Sequence, residues 1–217
     1  MSVVNSKTYK ILELITLSVI VPFLILFFKL APYILLFLWS IFAYCIFIFY
    51  FCNEKNSANK NSIFFNSNVG YFIAIRWVIC SLILILLTVL IFPEKLFIVQ
   101  KSNPGLIWKI IVLYPIFSAL PQEFIFCKFF FSRYRRFFGE QVLMVTMSSA
   151  AFCIAHVLFI NWVAPVLGFI AGLIFAGTFR KTKSLLIISA EHSLYGNTLF
   201  FIGLGWFFWG GSVGLKV

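Results

Sequence analysis

Between Tyr71 and Phe92 the only charged residue is Arg76, and runs of similar length and apolarity recur along the whole chain. A helix needs about 20 apolar residues to cross the hydrocarbon core of a bilayer, where no water is present to satisfy exposed backbone groups. Seven stretches meet that requirement: Ile11 to Phe28, Ala31 to Phe51, Tyr71 to Phe92, Leu106 to Phe126, Gln141 to Ile160, Val163 to Phe179 and Leu185 to Phe208. The sequence therefore predicts an all-α, polytopic membrane helix bundle of about seven transmembrane helices, six to eight if one run is re-entrant or split.

Of 217 residues, 63% are hydrophobic and 11% charged, whereas soluble domains carry roughly a quarter charged residues. No polar stretch is long enough to build a second core, so residues 1–217 are expected to form a single integral membrane domain. Lys7 and Lys10 before the first run resemble the basic start of a signal peptide. That run is too long for one and shows no small-residue cleavage site, so it reads as a retained helix.

The net charge of +11 would suggest a polyanionic partner in a soluble protein. Here the basic residues sit in short connections between apolar runs, and nucleic acid is not an expected partner. All but Lys29, Lys95, Lys101, Lys109 and Lys216 of the 17 Lys and Arg residues fall on the side shared with the N-terminus. The bias of basic residues toward the cytoplasm then predicts a cytoplasmic N-terminus. The polar stretch from Asn53 to Asn68 is an expected cytoplasmic loop. No two of the five cysteines form a C-x-x-C pair, and they read as small apolar packing residues.

Ionisable groups inside such runs are costly and mark working sites. Glu123 lies ten residues before Arg133, roughly 15 Å along a helix, deep enough to be desolvated. His192 lies nine residues past Lys183, at roughly 14 Å and a similar depth. His156 closes the small-residue stretch Ser148-Ser149-Ala150-Ala151 and its continuation. Glu191 and His192 are adjacent, hence about 100° apart on a helix, so one can line a cavity while the other meets a neighbouring helix. Apart from Glu13 and Arg76 near helix ends, the first three apolar runs hold almost no buried ionisable groups, so residues 1–103 are expected to be scaffold, with 104–208 the catalytic core.

One Glu and two His can activate water in two ways. The carboxylate takes the proton while the imidazoles hold water and oxyanion, or Glu123, His156 and His192 bind zinc. No H-E-x-x-H helix favours zinc, and no cofactor is expected. A bland alternative pairs Glu123 with Lys128 or an arginine just below it and leaves His156 bonded to a neighbouring backbone carbonyl.

Three ordered blocks of this chain resemble the CAAX prenyl protease type II family, the CPBP or ABI intramembrane endopeptidases. Gln122-Glu123-Phe124-Ile125-Phe126-Cys127 is similar to its E-E-x-x-x-R block, Phe152-Cys153-Ile154-Ala155-His156 to its F-x-x-x-H block, and His192-Ser193-Leu194-Tyr195-Gly196 to its H-x-x-x-N block. The resemblance implies a helix bundle around a wet cavity in which glutamate and histidine activate water to cut a peptide bond. It further implies that the first glutamate is the base, that the histidines and the Asn assist water and oxyanion, and that the arginine supports the site. Members are described both as metal-dependent and as metal-independent.

The chain departs from this pattern at Gln122, Cys127 and Gly196, with Lys128 and Asn197 one residue beyond the last two positions. Glu123 is the one carboxylate left in the first block, with Glu191 as its substitute. The resulting expectation is an intramembrane endopeptidase acting on a membrane-associated peptide or protein in the lipid bilayer of a bacterial plasma membrane. Its catalytic residues would be Glu123, His156 and His192, supported by Gln122, Glu191, Cys127, Lys128 and Asn197. The alternatives are a catalytically inactive relative acting in binding, immunity or chaperoning, and a proton-coupled transporter.

Overall fold

A computed structural model of the chain describes residues 3–52 and 67–209. Seven of its helices are long and apolar enough to cross a membrane: α1 (Lys7–Phe27), α2 (Ala31–Phe51), α3 (Ser67–Ile91), α4 (Pro104–Phe138), α5 (Val142–Phe159), α6 (Val163–Thr182) and α7 (Leu185–Ile202). The protein is an all-α polytopic membrane protein. Most of the polar connection expected between Asn53 and Asn68 lies outside the described residues; Ser67 and Asn68 open α3.

Apolar side chains face outward along α1 to α3, as lipid requires, while the polar side chains of α4 to α7 turn inward. Helices α5 and α6 approach closely because both carry small residues at the crossing. A Cβ placed on Gly172 would come within 3.0 Å of the Ser149 Cα. At the end of α7, Gly203 adopts φ +106, and a Cβ there would lie 1.9 Å from the Lys95 carbonyl oxygen. Phe97 N–H donates to Ile202 O at 3.2 Å alongside it, so the α3–α4 connection is tied to the end of α7.

Helix α4 corrects the sequence reading. The expected stop at Phe126 is absent, and helical structure continues to Phe138. Arg133, read as part of a polar loop, is only 1% exposed. Its Nε donates to Glu13 Oε2 at 2.6 Å, Nη1 to Asn5 Oδ1 at 3.1 Å and Nη2 to Val4 O at 2.8 Å. Tyr44 and Tyr134 hydroxyls also donate to Glu13. A buried arginine survives when its donors are satisfied in this way, and the network fastens α1 to the end of α4. Helix α7 in turn ends at Ile202, short of the expected Phe208, because Gly203 breaks it and Leu204–Phe208 forms a 3-10 turn.

Two prolines shape α4 at the depth of Glu123. Pro115 and Pro121 lack the N–H groups that would bond Ile111 O and Phe117 O, and the helix widens into π turns over Pro115–Ala119 and Phe124–Phe129. Other helices complete those backbone bonds. Asn197 Nδ2 of α7 donates to Ile111 O at 3.3 Å, and Trp39 Nε1 of α2 donates to Phe117 O at 3.0 Å. Ser148 Oγ of α5 donates to Phe126 O at 2.5 Å. Leu120–Glu123 is thus a short α-helical turn held between two widened ones, a construction that fixes where residues 122 and 123 point.

Candidate active site

Gln122, His156 and His192 line one internal cavity of about 110 Å³ together with Tyr114, Tyr195 and Phe175. Helices α4, α5, α6 and α7 all contribute to it. Gln122, His156 and Phe159 also wall a second cavity of about 110 Å³ that is almost wholly apolar and extends between α1 and α2, past Leu17, Val21 and Ile41. The cavity that holds the histidines and the almost wholly apolar one therefore meet at Gln122 and His156.

His192 is held on three sides. Its Nδ1 lies 2.7 Å from Glu123 Oε1, its Nε2 lies 2.8 Å from the Tyr114 hydroxyl, and Phe175 stacks on the ring at 4.6 Å between centroids. A carboxylate only accepts, so the tautomer assigned from these partners carries its proton on Nδ1, and Nε2 accepts from Tyr114 O–H. His156 follows the same pattern: Nδ1–H donates to Phe152 O at 2.7 Å, leaving Nε2 as an acceptor. Phe152 packs against both imidazoles, 4.4 Å from His156 and 5.8 Å from His192 between centroids.

Glu123 is 1% exposed and stands behind His192, outside the cavity lining. Among the described residues, no nitrogen or oxygen donor reaches its Oε2, and the Cys127 thiol, one turn along α4, lies beside it. Gln122 faces the cavity, with Nε2 donating to Ser118 Oγ at 2.7 Å. The adjacent pair on α7 diverges. While His192 turns to the cavity, Glu191 forms an ion pair with Arg76 of α3, whose Nη2 also donates to Thr178 Oγ1 at 2.7 Å. Lys128 points elsewhere, its ammonium 5.6 Å above the Phe49 ring. Asn197 is occupied by the α4 backbone, as described above.

Tyr114 was given no role by sequence reasoning, and the signal for it lies at position 196. A Cβ on Gly196 would fall 2.1 Å from Tyr114 Cε1 and 2.4 Å from its hydroxyl oxygen. The missing side chain makes the space that the tyrosine ring fills.

A metal site made of Glu123, His156 and His192 does not fit this arrangement. Glu123 Oε1 and His192 Nδ1 are bonded to each other, and a shared ion would need that bond broken. Among the described residues, no group of three His, Cys, Asp or Glu side chains is placed to hold a metal ion.

Residues 104–198 match the family model described as Type II CAAX prenyl endopeptidase Rce1-like. No curated protein and no solved structure matches the chain. The matched stretch runs from the start of α4 into α7 and contains Tyr114, Gln122, Glu123, His156 and His192. Over residues 104–198, the chain is similar to the type II CAAX prenyl endopeptidase Rce1-like family.

Proposed function

We propose that this protein is an intramembrane endopeptidase that hydrolyses a membrane-associated peptide, with His192 as the general base and Glu123 as the carboxylate that orients it. The observation that carries the reading is the hydrogen-bonded chain Glu123, His192, Tyr114 on the wall of a cavity shared with His156. Glu123 fixes the Nδ1–H tautomer and stabilises the imidazolium once it forms, the role a buried carboxylate plays behind a catalytic histidine. A water placed at His192 Nε2 attacks the scissile carbonyl carbon, and its proton passes to Nε2. The tetrahedral oxyanion takes hydrogen bonds from Tyr114 O–H, released from Nε2, and from the Gln122 amide. When the C–N bond breaks, His192 returns the proton to the leaving nitrogen. His156 Nε2 is an acceptor for a substrate N–H, and the adjoining apolar chamber takes the substrate's apolar part.

Peptidase assays on the purified protein in proteoliposomes, with membrane-anchored peptides as substrates, test this. Glu123→Gln keeps the side-chain volume and removes the orienting charge. It and His192→Ala should each lower turnover by about 10²-fold or more, the usual worth of a positioned acid–base group. Wild-type turnover in either variant rejects the assignment.

Gln122 supports a second reading. The cavity-facing side chain of the first block is an amide, which cannot accept a proton at neutral pH, and a relative that binds its peptide without turnover would look the same. Cross-linking of an intact peptide, with no new terminus detected by mass spectrometry, would favour that reading over hydrolysis.

A further inference from the structure

Away from the cavity, an open groove of about 450 Å³ runs between the N-terminal half of α3 and the C-terminal half of α6. Its polar rim is formed by Arg76, Arg180 and Lys181, and its floor by Ile73 and Leu173. Two of the cations flank one aromatic ring. Arg76 lies 5.1 Å above the Phe72 centroid, and the Lys181 ammonium lies 5.6 Å from it. Among the described residues, no carboxylate lines the groove; Glu191 reaches Arg76 from the protein interior. Arg76 is anchored on its inner side through Nη2 by Glu191 and Thr178, and its Nε, buried, has no hydrogen-bond partner among the described residues.

The groove lies at the bundle end where Lys183 packs over Phe131 and Arg180 Nη1 donates to Gln141 Oε1, the end that loop charge assigns to the cytoplasm. Arg76 stands on α3 nine residues past Ser67, so its cation reaches up toward the rim while the exposed Leu173 side chain stays in the acyl region. A concentrated positive rim above an apolar floor, open to lipid, matches the two halves of a phospholipid. Phosphate oxygens take the arginine and lysine donors, and acyl chains cover the floor.

We propose that the groove between α3 and α6 is a binding site for the phosphate group of an anionic phospholipid. Arg76 also holds Glu191, next in sequence to His192, so the groove and this part of α7 share one side chain. The site is distinct from the cavity and does not depend on whether the cavity turns over substrate.

The full-length protein is reconstituted into nanodiscs of phosphatidylcholine alone or with phosphatidylglycerol added. Retained lipid is counted by native mass spectrometry, and thermal unfolding is followed. Phosphatidylglycerol should be retained preferentially and should raise the unfolding temperature. Arg180→Gln/Lys181→Gln should reduce retained phosphatidylglycerol by about threefold or more, whereas Arg135→Gln/Arg136→Gln at the same end should not. Equal loss in the two double variants would mean diffuse attraction to a basic surface and overturn the site. So would equal retention of phosphatidylcholine by the wild type. Inorganic phosphate added to phosphatidylcholine discs should leave the unfolding temperature unchanged; stabilisation by it alone assigns the groove to a soluble phosphate and overturns the lipid. Should Arg180→Gln/Lys181→Gln not fold, salt titration of the wild type decides. Retention that does not fall as ionic strength rises is incompatible with a phosphate held by these cations.

Discussion

The ring of Tyr114 occupies the space that a side chain at position 196 would need, with its hydroxyl 2.8 Å from His192 Nε2. Glycine and tyrosine are thus one feature written at two distant positions. Gly196→Ala should push the ring out of its notch, lower stability by about 1–3 kcal/mol, as overpacking does, and free His192 Nε2 from its donor. Combining it with Tyr114→Ala should recover part of that loss, since the added methyl then has room. Thermal unfolding of the two single variants and the double variant in detergent measures the coupling, and strictly additive losses would contradict the notch.

The proline-freed carbonyls of α4 give a second cycle. Asn197→Ala leaves Ile111 O without its side-chain donor and should cost about 1–3 kcal/mol, the usual penalty for an unsatisfied buried acceptor. Pro115→Ala restores an N–H four residues beyond Ile111, so the double variant should be more stable than Asn197→Ala alone. If Pro115→Ala gives no rescue in unfolding measurements, Asn197 is doing something other than completing the α4 backbone.

Charge pairs in this protein should differ sharply in worth. Arg133 and Glu13 are almost fully buried, at 0% and 2% side-chain exposure, whereas Arg135 and Glu140 are 48% and 35% exposed. Glu13→Ala leaves a buried guanidinium uncompensated and should destabilise by about 3–5 kcal/mol. Arg135→Gln should change stability by less than about 1 kcal/mol. Unfolding by denaturing detergent ranks the two, and similar values would mean that the Arg133 network is solvated.

Seven apolar runs were legible because a bilayer demands length and composition, which a sequence displays directly. Helix ends were less so. Lys128 and Arg133 look like the start of a loop until Glu13, 120 positions earlier, is known to neutralise the arginine. The candidate site divides along the same line. Glu123, His156 and His192 stand out in sequence as ionisable groups in apolar surroundings, and short motifs order them. Their orientation does not stand out, because it comes from prolines at 115 and 121 and from donors on α2, α5 and α7. Tyr114 was invisible for a related reason: its partner is the side chain that Gly196 lacks.

Gln122 is the position at which the chemistry of this cavity can be tested by addition. Its amide faces the same space as His156 and His192 and sits where that cavity and the apolar one meet. Gln122→Glu is nearly isosteric, so the fold should be kept, and the new carboxylate would be desolvated beside two imidazole acceptors. Protonation of one imidazole offsets that cost by forming an ion pair in a medium where charges interact strongly. The variant then holds a water-facing base that does not depend on Glu123. Turnover of membrane-anchored peptides should rise by about tenfold or more over wild type, within the range of a positioned general base. It should also persist in Gln122→Glu/Glu123→Gln, where the orienting carboxylate is lost. Turnover in Gln122→Glu that stays at the wild-type level would mean that proton transfer in this cavity does not pass through position 122, and would leave His192 as its base.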